Sequence, residues 1–154
     1  MRTILYRGKK IDNGEWTYGF YFERSIEGQK HSYIKYQTPD EGFVTDEVDA
    51  DTVGQYTGIR DDQGLQIFEG DIIEVCYYDD MTCVTEVRAY GNTLCVDVEG
   101  EDYNFTAVDF AVENWREDGC ELKVLKNIYD REKDIDASIE FLKAVNIFSE
   151  YHNF

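Results

Sequence analysis

A chain of 154 residues can bury a core without disulfides or metals, because a domain of this size hides roughly 70% of its unfolded surface. Its 42% hydrophobic and 15% aromatic content excludes a disordered chain. The formal net charge of -18 disfavours nucleic-acid phosphates and anionic membranes as partners, because like charges repel each other.

The charge is unevenly distributed along the chain. Residues 1–36 hold seven Lys or Arg against four Asp or Glu, residues 37–121 hold 23 acidic residues against three arginines, and residues 122–154 are nearly balanced. An acidic middle favours cations, basic proteins or the basic N-terminal part of a second copy, and the alternative is that it only confers solubility. We therefore expect a homo-oligomer, with a basic protein as a further partner.

The N-terminal sequence and the cysteines indicate where the protein acts. No apolar run at the N-terminus has the length of a signal peptide, and nowhere do eighteen apolar residues follow one another. We expect a cytoplasmic protein without membrane contact. Its four cysteines are then predicted to be free thiols, several of them in the core: Cys76, Cys83, Cys95 and Cys120.

Alternation with a period of two residues is the main secondary-structure signal, and it begins with a candidate strand at residues 2–7. Asn13-Gly14 then predicts a type I′ hairpin, because both central residues of that turn need positive φ. The following strand has four aromatic residues on one side, namely Trp16, Tyr18, Phe20 and Phe22. We interpret these rings as core, and the alternative is a nucleic-acid stacking surface among the N-terminal lysines and arginines.

Further strands are predicted over residues 32–37, 52–57, 71–78, 82–90, 93–98, 103–110 and 121–128. Gly91 and Gly100 lie where strands should reverse. The segment 113–118 is either a short helical turn or a loop. The expected fold is mainly β, with small antiparallel barrel-like sheets and turns at Asn-Gly and Gly positions.

One helix is predicted at the C-terminus, where apolar residues recur at helical spacing after Asp134 or Asp136 as the N-cap. This gives a β domain over residues 1–130, with the option of two subdomains divided near residue 70, and a helical extension over residues 131–154.

The stretch QYTGIRDDQGLQIFEGDIIEV, residues 55–75, concentrates four carboxylates, which are Asp61, Asp62, Glu69 and Asp71. A calcium loop is excluded, because either frame that puts a glycine at the sixth position has Gly or Arg where the twelfth must be Glu. Zinc is excluded by the absence of Cys-x-x-Cys and by having only two histidines. With no phosphate-binding glycine motif, we predict no cofactor.

Two interpretations of the four carboxylates remain. Asp61 and Asp71 can form an acid–base or metal pair if they converge in a partly dry site. The favoured interpretation is structural, with a reversal at residues 61–64 and a tight bend at residues 69–71, each containing a glycine, Gly64 and Gly70.

Three segments, YRGKKIDNGEWTYGFYF, DADTVGQYTGIRDDQGLQIFEGDIIEV and LKVLKNIYD, resemble in this order the YopX family of phage and prophage proteins. The resemblance implies a mainly β fold with barrel-like parts, and it brings no catalytic residues. Among the matching positions are Arg7, Gly8, Trp16, Gly19, Gly54, Gln55, Tyr56, Thr57, Gly58, Asp61, Gly64, Phe68, Glu69, Gly70, Asp71, Asn127, Ile128 and Tyr129.

The leading functional hypothesis is a non-enzymatic interaction module of phage or prophage origin, which is acidic, self-associating and located in the bacterial cytoplasm. A nucleic-acid-binding β-barrel protein is the alternative. A metal-dependent hydrolase using Asp61 and Asp71 is the third hypothesis.

Overall fold

A computed structural model describes residues 4–77, 80–97 and 105–130. The chain divides into two compact units, Met1–Gly58 and Ile59–Phe154. The first unit ends at Gly58, and the domain bounds expected from the sequence stay a prediction.

Five strands build the sheet of the first unit. Their bounds are β1 Tyr6–Lys9, β2 Trp16–Ile26, β3 Gln29–Thr38, β4 Gly42–Val48 and β5 Gly54–Arg60. They lie in the order β4-β3-β2-β1-β5 with antiparallel pairing, and β6, Gln66–Phe68, follows β5 in the sheet order. A 3₁₀ turn at Ala50–Thr52 connects β4 to β5, and Asp49 Oδ1 accepts the N–H of Asp51 at its start.

The two hairpins of β2 use different turns. At the β1–β2 hairpin only Gly14 has positive φ, and the Lys10 N–H reaches the Glu15 carbonyl at 2.9 Å. The hairpin was predicted correctly, but the predicted type I′ turn is wrong, because the loop between Lys10 and Glu15 has four residues instead of two. The β2–β3 turn has the I′ pattern instead, with Glu27 at φ 52° and Gly28 at φ 79° between the paired residues 26 and 29.

The buried side of β2–β4 is the one opposite to the aromatic side. Ile34 is fully buried and Val48 nearly so, and their strand register places Thr17 and Ser32 on that same side. Phe20 and Phe43, on the other side, are 67% and 65% exposed. The interpretation of the aromatic side as core is therefore wrong for β2–β4, because the buried residues of these strands all lie on the other side.

Two three-stranded sheets form the second unit. Their strands are β7 Asp71–Cys76, β8 Thr82–Glu86, β9 Arg88–Tyr90, β10 Thr93–Asp97, β11 Phe105–Ala107 and β12 Glu121–Asn127. The sheet orders are β12-β7-β8 and β11-β10-β9. The predicted strand 82–90 is broken at Val87, whose N–H donates to the Asp71 carbonyl while its carbonyl accepts from Gly70.

A helix, α1, runs over Val108–Glu117. It includes most of the segment 113–118, for which a short helical turn was one of two predicted options, but its first five residues were not predicted as helix. Its buried residues, Val108, Ala111, Val112 and Trp115, recur at spacings of three and four, which is the helical pattern. They pack with β-strand residues such as Ile73, Val75 and Leu122 into one core. The strand predicted at 103–110 extends too far towards the C-terminus, since β11 ends at Ala107 and α1 begins at Val108.

The predicted fold class is confirmed, since the chain is mainly β, its sheets are antiparallel and the described residues hold one helix. The described sheets are open rather than closed into a barrel. Gly91 has positive φ in the β9–β10 hairpin, as predicted. The reversal at Gly100 and the helix predicted after residue 130 both lie outside the described residues.

All four cysteines are within the described ranges, and no disulfide joins them. Cys95 and Cys120 are buried, whereas Cys76 and Cys83 are partly exposed. In the described ranges no helix has the length and apolarity needed to cross a membrane.

Candidate functional site

Asp61 is a buried carboxylate that accepts hydrogen bonds from several backbone amides. Its Oδ1 accepts the N–H of Gln63 at 3.0 Å and that of Leu65 at 2.8 Å, which closes the turn. Its Oδ2 accepts the N–H of Val124 on β12 at 3.0 Å. The residue is only 5% exposed. Since a carboxylate has about four acceptor positions, three of them are occupied by main-chain donors.

Asp62 extends the same attachment to β12. Its Oδ2 accepts the Leu122 N–H at 2.8 Å, and its own N–H donates to the Leu122 carbonyl at 3.1 Å. Gly64 completes the reversal at φ 86°, as the sequence predicted. The turn at residues 61–64 is thereby fixed to a strand about sixty residues further along the chain.

Asp71 is buried at the start of β7, with 1% exposure. Its Oδ2 accepts the Phe68 N–H at 2.7 Å, and its Oδ1 accepts the side-chain amide of Asn127 at 3.0 Å. The same Asn127 Nδ2 donates to the Glu69 carbonyl at 3.2 Å, and the Asn127 Oδ1 accepts the Tyr129 N–H. Asn127 therefore connects the bend at residues 69–71 to the end of β12.

Gly70 is required in this bend for two reasons. Its φ is +88°, and a Cβ placed there would lie 2.9 Å from Asn127 Nδ2. Its carbonyl accepts the N–H of Ile128, whose side chain is exposed. Any side chain at position 70 would strain the backbone and displace the amide that serves both Glu69 and Asp71.

These contacts decide what the carboxylates can do chemically. Each carboxylate oxygen of Asp61 and Asp71 accepts at least one N–H, which occupies positions that a cation or a transferable proton would take. Among the residues that the structure describes, no group of three or more His, Cys, Asp or Glu side chains has the geometry of a metal site. Glu69 differs, since its burial raises the pKa of the carboxyl.

An open cleft of about 450 Å³ lies beside α1. Its lining consists of Ile59, Asp109, Val112, Glu113, Arg116 and Glu117. The acidic residues at positions 109, 113 and 117 are exposed along one side of the helix, since they are spaced by four. The cleft therefore has an acidic rim.

In the first unit, β-strand pairing brings together residues from the first two of the three sequence segments that resemble the YopX family. Arg7 pairs with Gly54 and Tyr6 with Gln55 across β1 and β5, and the Tyr56 N–H donates to the Leu5 carbonyl at 2.8 Å. Thr57 and Tyr56 are buried, and Gly58 ends the unit at φ 85°.

The two early glycines are positions of close approach. A Cβ at Gly19 would lie 2.3 Å from the Lys35 carbonyl oxygen, and one at Gly8 would lie 3.1 Å from Val48. A side chain could therefore not be added at position 19 without moving β3. Near Gly8, the Arg7 guanidinium lies 4.3 Å from the centroid of the Trp16 ring.

The sequence placed the turns of the middle segment but not their partners. Asp61 contacts Val124, and Asp71 contacts Asn127, at separations of 63 and 56 residues. Leu122 and Val124 on β12 donate through their backbone N–H groups. Since any residue except proline has such a group, the sequence does not show that these two residues contact Asp62 and Asp61. Asn127 was singled out in the sequence only because it matches the YopX family, and its contact with Asp71 was not predicted.

Comparisons with known proteins give a family match and two similar solved structures. Residues 5–134 match the family model described as YopX protein. The crystal structure of protein yopX from Bacillus subtilis is similar to this fold, with a TM-score of 0.50, 21% identity and coverage of 85% of this chain and 96% of that one. Protein EF1440 from Enterococcus faecalis aligns with a TM-score of 0.41 and 16% identity, covering 88% of this chain and 99% of its own. No curated protein matches the chain.

Proposed function

The chain belongs to the YopX protein family, and we propose that it is a non-enzymatic interaction protein that uses its acidic surface to bind basic proteins or a second copy of itself. Its resemblance to phage and prophage proteins supports an origin in a phage or prophage. Four cysteines that are all free thiols support action in a reducing compartment, the bacterial cytoplasm.

The observation that carries the proposal is the use of Asp61 and Asp71 as acceptors for main-chain and amide donors. An acid–base pair needs a carboxylate that can exchange a proton with a substrate in a concave site. Here Asp61 and Asp71, the two carboxylates that the sequence offers as a catalytic pair, stabilise turns and their attachment to β12. This supports a structural role for them and leaves the exposed charge as the main functional feature.

The acidic charge is concentrated in the second unit. Residues 59–154 contain 23 Asp or Glu against eight Lys or Arg, whereas residues 1–58 contain ten against seven. Exposed acids on α1, such as Glu113 and Glu117, add to this surface. A dense negative surface attracts basic partners and accelerates their association.

Binding to a fluorescent poly-lysine 20-mer tests this proposal, with a poly-glutamate peptide as the negative probe. We expect binding at 0.05 M salt that falls strongly at 1 M salt, because exposed charges are screened. The variant Glu113→Lys/Glu117→Lys should bind more weakly than the matched control Glu27→Lys/Glu41→Lys, which changes the first unit instead. All four glutamates are exposed.

Sedimentation of the full chain at 0.15 M and 1 M salt tests self-association. An oligomer at the lower salt that dissociates at the higher one would support the proposal. A monomer under both conditions, together with no binding to poly-lysine, would contradict it.

The hydrolase hypothesis makes the opposite prediction for Asp61→Asn and Asp71→Asn. A catalytic pair would leave folded proteins that have lost a metal-dependent activity. We expect reduced thermal stability instead, because each substitution places an N–H₂ group against an existing donor.

A further inference from the structure

We propose that the exposed aromatic side of β2–β4 binds single-stranded nucleic acid by stacking bases on its rings. This inference goes beyond the proposed function, because it concerns a surface of the first unit and a polyanionic ligand. We call this surface the aromatic face, and it consists of Phe20, Phe22, Arg24, His31, Tyr33, Lys35, Phe43 and Glu47.

Strand register brings these side chains to one side of the sheet. Phe20 pairs with Lys35, and Phe22 with Tyr33, across β2 and β3. Tyr33 also pairs with Glu47 on β4, and directly paired residues share a face. Phe43 lies two residues from Thr45, the β4 partner of Lys35, and so belongs to the same side.

The rings are arranged as a platform rather than as a core. The Phe22 and Tyr33 rings are stacked with their centroids 5.2 Å apart, and the His31 ring follows Tyr33 at 6.5 Å. Phe20 and Phe43 are 67% and 65% exposed, and two strand spacings separate their strands by on the order of 10 Å. Exposed rings at this spacing offer more than one base a stacking position.

The charges on this side favour an anion. Lys35 and Arg24 are exposed there, and the Lys35 Nζ lies 4.9 Å from the Phe43 ring centroid. The acid on this side is Glu47, and its Oε1 is 2.6 Å from the Nδ1 of His31. Glu23 and Asp46 lie on the opposite side of the sheet by register. The aromatic face is thus cationic within a strongly acidic protein.

Single strands fit these features better than duplexes. Stacking requires an unpaired base with a free π-face, and it tolerates any sequence because every base has one. A lysine beside two rings adds a contact to the phosphate between the stacked bases. The net charge of -18 opposes such binding, but beyond about 8 Å it is screened at physiological salt. We therefore expect modest affinity that depends strongly on salt.

The test is fluorescence anisotropy of labelled dT12 and rU12 oligonucleotides with the full chain. We expect binding at 50 mM salt that weakens about sevenfold at 200 mM, as two phosphate contacts on a single strand imply. Phe20→Ala/Phe43→Ala should weaken binding at least about fivefold for each ring removed. Lys35→Gln should lower the slope of log affinity against log salt by about 0.7.

A matched control removes two exposed rings from the second unit, in Tyr90→Ala/Phe110→Ala, where exposure is 68% and 60%. This variant should bind the oligonucleotides as the unchanged protein does. Circular dichroism should show both double variants folded, because the removed rings are exposed.

Three outcomes would overturn the inference. The first is no anisotropy change with either oligonucleotide at 50 mM salt. The second is an equal loss in the two double variants. The third is a protein dimer that Phe20→Ala/Phe43→Ala dissociates while the oligonucleotides remain unbound, since the aromatic face would then be an interface between copies.

Discussion

Replacement of Asp61 by Asn should destabilise the second unit by about 3 kcal/mol. The Asn oxygen can keep the two turn amides, Gln63 and Leu65, but its N–H₂ group must then face the Val124 N–H. An unsatisfied buried donor costs about 1–3 kcal/mol, and each remaining bond loses roughly 1 kcal/mol when its acceptor is no longer charged.

Equilibrium unfolding in guanidinium chloride measures this loss directly. For a chain of this length, about 3 kcal/mol corresponds to a fall in Tm of roughly 6–12 °C. Asp62→Asn is the matched control, because Asp62 is exposed and uses one oxygen for the Leu122 N–H, so an amide oxygen can replace it. We expect that variant to lose less than about 1 kcal/mol.

The reasoning would be refuted by Asp61→Asn unfolding at the same midpoint as the unchanged protein. It would also be refuted if Asp61→Asn and Asp62→Asn were equally destabilised. In either case the three amide contacts would not be what keeps Asp61 in place, and a chemical role would regain support.

Three further predictions follow from individual backbone and side-chain features. Gly70→Ala should lower the free energy of unfolding in urea more than Gly58→Ala does, by about 1 kcal/mol or more. Both glycines have similar positive φ, but only a Cβ at position 70 would contact a side-chain amide. Equal losses of stability in the two variants would contradict this. Glu27→Asn should raise stability by up to about 1 kcal/mol, since Asn tolerates the positive φ of residue 27, whereas Glu41→Asn, which also precedes a glycine but lacks positive φ, should change little. Burial raises the folded-state pKa of Glu69, so the contribution of this carboxyl to stability is lost as pH rises from about 4.5. Glu69→Gln should therefore have the higher Tm at pH 7 and lose that advantage below pH 4, and a difference in Tm independent of pH would contradict the assignment.

Local sequence chemistry was sufficient for the turns. Glycines with a required positive φ, such as Gly64 and Gly70, have a physical reason that is visible in the sequence, because other residues rarely adopt that conformation. Most of the alternating strands were likewise found, but β4 and β6 were missed. The acidic sequence of β4, GFVTDEV, has only a short apolar pattern, and β6 is only three residues long.

Two features needed the structure. α1 has buried residues at helical spacing, but its Val and Phe residues also fit a strand, and a short segment does not decide between the two periods. Alternation also shows which residues share a side without showing which side is buried. Ile34 on β3 decides this for the first unit, because it is fully buried on the side opposite to Phe20.

The candidate site could be predicted only in part for a related reason. Asp61 was placed in its turn, but its contact with Val124 spans 63 residues. A main-chain donor leaves no trace in the sequence of β12, since any residue other than proline can supply the N–H. Long-range partners of this kind become visible only when the strands are paired.

Amide hydrogen exchange followed by NMR tests the central claim, that the buried carboxylates hold the fold rather than perform chemistry. The account predicts that the Val124, Leu65 and Phe68 amides exchange only through global unfolding, and that Asp61→Asn exposes Val124 and Asp71→Asn exposes Phe68 to faster exchange. Rapid exchange of these amides in the unchanged protein, or their protection unaltered in both variants, would contradict it.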